Sequence, residues 1–280
     1  MRALTFLARR FVAGETAADA VEAGRRLNAR GIRATFDRLG EDVHHREAAR
    51  RSADANKELL RLIPEGMERN VSIKLTALGL DVAQDFCAEQ VAGILDVARE
   101  LDGVVRIDME GSRHTQETID VFRQLRRDYD NVGIVLQAYL RRTEADVREA
   151  VSRGDRVRLC KGAYKEPPSV AFQDMEEIRA SFRTCARLLL DGSGHAALAT
   201  HDESLIQDGL DYVRQQGIAR DRYEFQMLYG LRSKRCEELV RDGHSVRVYV
   251  PYGTHWFPYF YRRLRERREN VFFVLRGLFQ

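Results

Sequence analysis

The sequence predicts an α/β protein with parallel strands, and three observations carry that prediction. Short β-rich runs recur eight times along the 280 residues. Segments apolar at i, i+3 and i+4 separate them, the spacing of helices with one buried face. Successive run starts lie 38, 33, 28, 25, 38, 28 and 23 residues apart, so strands alternate with helices throughout. That alternation gives a parallel sheet. A doubly wound open sheet and a closed (βα)8 barrel share the pattern. The count of eight favours the barrel, and a chain of about 250 residues or more is the usual size for one.

In order along the chain, Met1–Arg30 looks helical, with Val21 and Leu27 set among alanines and charges, and forms an N-terminal arm (residues 1–30) before the barrel (31–280). The strands are Arg33–Leu39, Val71–Ala77, Val104–Glu110 and Val132–Gln137, followed by Val157–Lys161, His195–His201, Tyr223–Leu228 and Val246–Pro251. Asp42–Asn56 is the polar helix of the first crossover; Asp85–Leu101, Gln116–Asp128, Glu144–Arg153, Met175–Leu190 and Ser204–Gln216 are amphipathic helices of later ones. Pro258 stands near the start of a last helix, where its missing N–H costs nothing. That helix runs to about Arg268, and the apolar tail Val271–Phe279 packs back on the barrel. Nothing reads as a linker or a repeat longer than one βα unit, so one domain is expected.

Composition removes several classes of function. No stretch of 18 apolar residues exists to span a membrane, and arginines interrupt the short apolar opening MRALTFLARRF. The cysteines at 87, 160, 185 and 236 form no CxxC pair, which argues against zinc or a disulfide framework and fits a reducing cytoplasm. A net charge of +3 makes no case for nucleic acid. With 41 arginines against five lysines, a GC-rich codon habit is the simplest account of the arginines. Each lysine is therefore informative, and Lys74 and Lys161 stand in apolar strands.

In a barrel the active site lies at the carboxyl ends of the strands. Polar residues in or just after apolar strands are Lys74, Asp108 with Glu110, Gln137, Arg158 with Lys161, Thr200 with His201, Gln226 and Tyr249. Any one of them has a structural reading; so many at one end of successive strands do not share one. Asp108 and Glu110 fall on one face of a strand, as paired carboxylates for acid–base work or as ion-pair partners. Arg158 and Lys161, with Gly162 after them, form an anion or cofactor platform. Neither GxGxxG nor GxxxxGK[ST] occurs, which excludes a Rossmann or P-loop phosphate site. On the last helix, Tyr259, Arg262, Arg263 and Glu266 stand at i,i+3 and i,i+4. By composition alone that is a solvated helix laced with weak ion pairs; the alternative is a bidentate carboxylate clamp. A Schiff-base aldolase using Lys74 or Lys161 and a non-catalytic amino-acid sensor also fit these residues.

Several segments together resemble the flavin-dependent proline dehydrogenases of proline catabolism. They are Ser72-Ile-Lys-Leu-Thr-Ala77, Ile107-Asp-Met-Glu110, Arg158-Leu-Cys-Lys-Gly-Ala-Tyr164, Ala199-Thr-His201, Phe225-Gln-Met-Leu228, Tyr249-Val-Pro-Tyr-Gly-Thr254 and Tyr259-x-x-Arg-Arg-x-x-Glu266. They fall in family order from Arg33 onward. Met109, Cys160 and Asp202 depart from the family's commoner small residue, aliphatic residue and asparagine.

The resemblance implies a distorted (βα)8 TIM-type barrel whose last helix lies over the carboxyl ends of the strands. It implies FAD-dependent oxidation of L-proline to Δ1-pyrroline-5-carboxylate, the first step of degradation to glutamate. Electrons pass to a quinone-type acceptor, and a separate pyrroline-5-carboxylate dehydrogenase takes the product. The location implied is cytoplasmic, with any membrane association peripheral at the inner face. Asp108 and Arg158 become the active-site pair. Lys74, Arg262 and Arg263 hold the substrate carboxylate, Glu266 orients an arginine, and Tyr164, Leu228 and Tyr249 shape the ring pocket. Met109, Gln137, Lys161, Gly162, Ala163, Thr200 and His201 line FAD. This placement of the last helix replaces the solvated-helix reading of the arginine pair.

Overall fold

The computed structural model describes residues 10–257 and Tyr259. The chain runs α1 (Ala17–Asn28), β1 (Arg33–Arg38), α2 (Arg46–Leu62), β2 (Asn70–Ile73), α3 (Gln84–Glu100), β3 (Val104–Ile107) and α4 (Thr115–Leu125). It continues through β4 (Val132–Gln137), α5 (Thr143–Ser152), β5 (Arg156–Cys160), α6 (Met175–Asp191), β6 (Ala196–Ala199), α7 (Glu203–Gln215), β7 (Tyr223–Leu228), α8 (Ser233–Arg241) and β8 (Val246–Tyr252). All eight strands are parallel and close in chain order, β8 pairing back onto β1 with Thr35 opposite Tyr249. The expected barrel is the observed one.

Period-two alternation splits each strand between two environments. Phe36, Val71, Ile73, Val105, Ile107, Leu159, Phe225 and Val250 are buried in the main apolar core, which includes residues of the strands and of the surrounding helices. Their neighbours Thr35, Asp37, Ser72, Arg106, Arg158, Glu224, Gln226 and Arg247 are equally buried and polar. They meet inside the barrel: Arg158 of β5 reaches across to Ser72 of β2, and Arg247 of β8 reaches Glu224 of the neighbouring β7. A TIM barrel is usually filled with branched apolar side chains. Here the lumen holds ions and hydroxyls, which is why polar residues in apolar strands pointed to the site.

The predicted helices appear within three residues of their expected ends, Gln116–Asp128 stopping at Leu125, with three larger differences. The first crossover helix starts at Arg46 and runs to Leu62, six residues past the expected end, because Leu59 and Leu60 are buried. Helix α8 was not anticipated; of its residues only Cys236 and Leu239 are buried, too few for a visible stripe. In the N-terminal region residues 10–16 are turn and coil and the described helix begins at Ala17, residues 1–9 lying outside the described residues. Thr16 caps it, its hydroxyl accepting from Asp19 N while the Asp19 carboxylate accepts from Thr16 N. Helix α1 packs against β1 and β8, covering the seam where the barrel closes. The expected helix from Pro258, with Arg262, Arg263 and Glu266, and the tail Val271–Phe279 lie outside the described residues.

Candidate active site

Lys74 follows β2 directly, Asp108 follows β3, Arg158 is central in β5 and Tyr249 is central in β8. Their side chains converge at the carboxyl end of the lumen. Arg158 Nη1 donates to Asp108 Oδ1 at 2.8 Å and Nη2 to Ser72 Oγ at 3.0 Å. Tyr249 Oη donates to Asp108 Oδ2 at 2.7 Å, and its ring lies 5.3 Å from the Arg158 guanidinium carbon. Lys74 Nζ is 3.7 Å from Asp108 Oδ2 and donates to Asp37 Oδ1 at 2.9 Å. Asp37, on β1, is the residue the sequence reading missed. Its signal was there: a carboxylate within the apolar run RATFDRL, two residues from Thr35 and on the same face.

Burial and neighbouring charges act on Lys74, Asp37 and Tyr249 in this cluster. Burial alone would discharge Lys74, but Asp37 and Asp108 overcome that and hold the ammonium well above its ordinary value. Burial pushes the Asp37 carboxyl up, against the pull of Lys74. Burial and then the charge of Asp108 push the Tyr249 phenol far up, so it stays a donor. An amine held charged by two carboxylates is no Schiff-base nucleophile, which removes the aldolase reading of Lys74.

Glu110 does not join Asp108. It turns away to accept from Thr76 Oγ1 at 2.6 Å and Thr76 N at 3.1 Å, tying the end of β3 to the loop after β2. Chain direction changes after Ile107, where β3 ends, so the shared face predicted from alternation stops there. Acid–base pairing of these two carboxylates is thereby corrected to one site carboxylate and one structural one.

Beside the cluster, three buried atoms have no hydrogen-bond partner among the described residues: Asp37 Oδ2, Arg158 Nε and Gln137 Oε1. Gln137 uses its Nε2 on the Met109 carbonyl at 3.3 Å, which leaves the acceptor oxygen aimed elsewhere. Such orphans are costly unless a ligand completes them. Gly162 after β5 has φ +113, and a Cβ there would sit 2.2 Å from the Tyr139 ring, so only glycine lets the backbone pass. Ala163 is exposed and Tyr164 half-buried on the same loop. Lys161 Nζ reaches Asp202 at 3.2 Å and Arg179 Nε reaches it at 2.8 Å. Burial works against the Asp202 charge, yet these hydrogen bonds prevail and lower it to about 2. Thr200 Oγ1 accepts from Asp202 N at 3.1 Å, and His201 Nε2 accepts from Leu228 N at 2.9 Å. Leu228, half-buried at the end of β7, is thus joined to β6.

A donor–acceptor rim with an orphaned amide oxygen and an unused guanidinium N–H suits a flat, polar-edged heterocycle bearing both N–H and acceptor atoms. An isoalloxazine has those groups. The expected FAD-lining set therefore shares one rim around β4, β5 and β6, adjacent to the charged cluster. Arg262, Arg263 and Glu266 cannot be placed against it, being outside the described residues.

The family model for proline dehydrogenase matches residues 20–276. Proline dehydrogenase 1 of Bacillus subtilis (strain 168) is 41% identical over 272 residues, covering 97% of this chain and 90% of the relative. Proline dehydrogenase of Deinococcus radiodurans is 35% identical over 281 residues, with 97% and 90% covered. The crystal structure of proline utilization A (PutA) from Bdellovibrio bacteriovorus inactivated by N-propargylglycine superposes with a TM-score of 0.85 at 26% identity. That match covers 93% of this chain and 32% of the larger one, so the present chain spans about a third of that protein.

Proposed function

The chain belongs to the proline dehydrogenase family and is an enzyme of proline oxidation in proline catabolism; from that premise we propose that it converts L-proline to Δ1-pyrroline-5-carboxylate with a bound FAD. The observation that carries the site assignment is the Lys74–Asp108–Arg158–Tyr249 cluster at the carboxyl end of the lumen, bordered by the orphaned Gln137 Oε1.

Lys74, kept charged, supplies a fixed cation for the substrate carboxylate, and Arg262 and Arg263 complete the clamp as a bidentate pair, with Glu266 orienting one of them. Tyr249, Tyr164 and Leu228 enclose the ring. Asp108, fixed by Arg158 on one oxygen and Tyr249 on the other, presents a rigid negative edge toward the secondary amine. Gln137, Arg158, Met109, Lys161–Ala163, Thr200 and His201 hold the flavin. A bound flavin would supply a two-electron acceptor for the C5 hydride. The amine proton must already be lost for the C=N bond to form. Fixing the ring by its carboxylate aims C5 at one face of the cofactor, so the protein's contribution is orientation in a partly dry site.

The electrons go on to a quinone, and the product to a separate pyrroline-5-carboxylate dehydrogenase. No helix among the described residues is long and apolar enough to cross a membrane; quinone access in this proposal is from a membrane surface at the cytoplasmic side. Purified protein should be yellow and should bleach anaerobically on adding L-proline, with an artificial dye sustaining turnover and NAD⁺ failing to replace it. A colourless protein that does not take up added FAD overturns the cofactor assignment; a yellow protein indifferent to proline overturns the substrate.

A further inference from the structure

Strand β7 ends at Leu228, opposite Tyr249, while β8 continues to Tyr252. The backbone groups of β8 beyond that point would be left without a neighbour on the β7 side. Residues 10–14 take the vacant place: Ala13 N donates to Pro251 O and Gly253 N to Gly14 O, both at 2.9 Å. That pairing satisfies main-chain groups that burial would otherwise strand. The contact is close enough to dictate sequence on the other side. A Cβ on Gly230, whose φ is +77, would lie 1.7 Å from the Arg10 carbonyl oxygen.

Docking of this segment buries two apolar side chains in a small cluster separate from the main core. Phe11 and Val12 pack with Leu39 and Tyr259, and Tyr249, Trp256 and Leu231 lie against them. Phe11 is 5%, Val12 4% and Tyr259 6% exposed. Two members bear on the site. Tyr249 is the ring whose hydroxyl holds Asp108, and Tyr259 stands three and four residues before Arg262 and Arg263 in the chain.

We propose that residues 10–14 act as a positioning strap, with Phe11 and Val12 packed in one cluster with Tyr249 and Tyr259 so that the Tyr249 wall of the pocket keeps its place. The strap rests on the substrate reading above and adds to it a group of residues that touches neither substrate nor flavin. Its effect is on the fit of proline, not on the cofactor, because the cluster lies on the β8–β1 side while the flavin rim lies around β4 to β6.

Phe11→Ala in the full chain loaded with flavin is the test. It should raise KM for proline by on the order of tenfold, as small displacements in a fitted pocket do, with kcat at saturating proline and flavin content near those of the parent. Phe11→Leu should recover most of the loss. Val12→Ala, a smaller truncation, should show the same split at reduced size and serves if Phe11→Ala fails to fold. A fall in Tm with KM unchanged in these variants would make the segment a structural brace and overturn the proposal. So would parallel loss of kcat and flavin. Tyr249→Phe separates the two readings: if it impairs proline handling and the Phe11 and Val12 variants do not, the strap alone fails. If Tyr249→Phe is itself inert, the substrate pocket was misplaced and the strap falls with it.

Discussion

At the amino end of the barrel Arg247 donates to both oxygens of Glu224, to both of Glu68 and to the carbonyl of Ala34, all between 2.8 and 3.1 Å. At the carboxyl end Lys74, Arg158, Asp37 and Asp108 are as deeply buried, yet Asp37 Oδ2 and Arg158 Nε have no partner among the described residues. Burial raises Asp37, whereas at the amino end Arg247 outweighs burial and lowers Glu224 to about 2. Glu68 keeps 36% of its side chain exposed, whereas Glu224 and the residues of the carboxyl-end cluster are buried. Arg247 and Glu224 match each other, although Arg106 Nε and His195 Nδ1 near them lack a partner among the described residues; a matched ion pair stabilises the fold, and groups left short of partners are open to what binds them. Arg106 lies between them in character: it donates to the Arg156 carbonyl at 3.2 Å, and burial, then Arg158, lower it to about 9.

The sharpest way to break this comparison is Glu224→Leu. Removing one partner from a buried ion pair costs about 3–5 kcal/mol, on the order of 10 °C in Tm. Turnover per folded molecule should stay near that of the parent. Scanning calorimetry together with active-site titration checks both halves, and a loss of kcat/KM at unchanged Tm would reverse the roles of the two ends.

Lys74→Met is the converse. Loss of charge-assisted bonds worth roughly 1.5–3 kcal/mol should lower kcat/KM by about 10–150-fold, with flavin still bound. The variant leaves Asp37 buried without its cation, so its carboxyl is protonated more readily in the folded state than in the unfolded one. The Asp37 contribution to the stability of the variant should therefore be complete below the ordinary carboxyl value of 3.8 and be lost as pH rises through the raised value. Urea unfolding of parent and variant at several pH values reads the difference.

Tyr249→Phe deletes the hydrogen bond to Asp108 and the longer one accepted from Lys74 at 3.4 Å, and should reduce kcat/KM by about 2–10-fold, with no change in flavin content. The mildest effect is on the amino side. Burial lowers His195 to about 4 from its ordinary 6.5, so the unfolded chain binds that proton first. Stability contributed there is complete above pH 6.5 and drains as pH falls toward 4. His195→Gln should flatten that part of the stability curve while leaving the steeper loss below about 4.5, where Glu224 begins to matter.

Eight strands, their parallel pairing and the convergence of Lys74, Asp108, Arg158 and Tyr249 at the carboxyl end of the lumen were legible in the sequence. The reason is local: alternation forces Arg158 and Tyr249 to the face opposite Leu159 and Val250, and an ion facing away from the helices can only face the lumen. Lys74, Asp108 and Gln137 follow from the same rule at strand ends. What was not legible depends on closure and on where strands stop. Asp37 meets Lys74 because β1 lies beside β2 with Asp37 opposite Ser72, a register no local pattern states. Glu110 leaves the lumen because β3 ends at Ile107. Residues 10–14 lie against the end of β8 because β7 is shorter there. Sequence by itself determined which side chains must share a face, since that is set by covalent geometry within a few residues. Tertiary structure alone decided which of those faces meet, since the partners of Lys74 and Phe11 come from strands brought together only when the barrel closes.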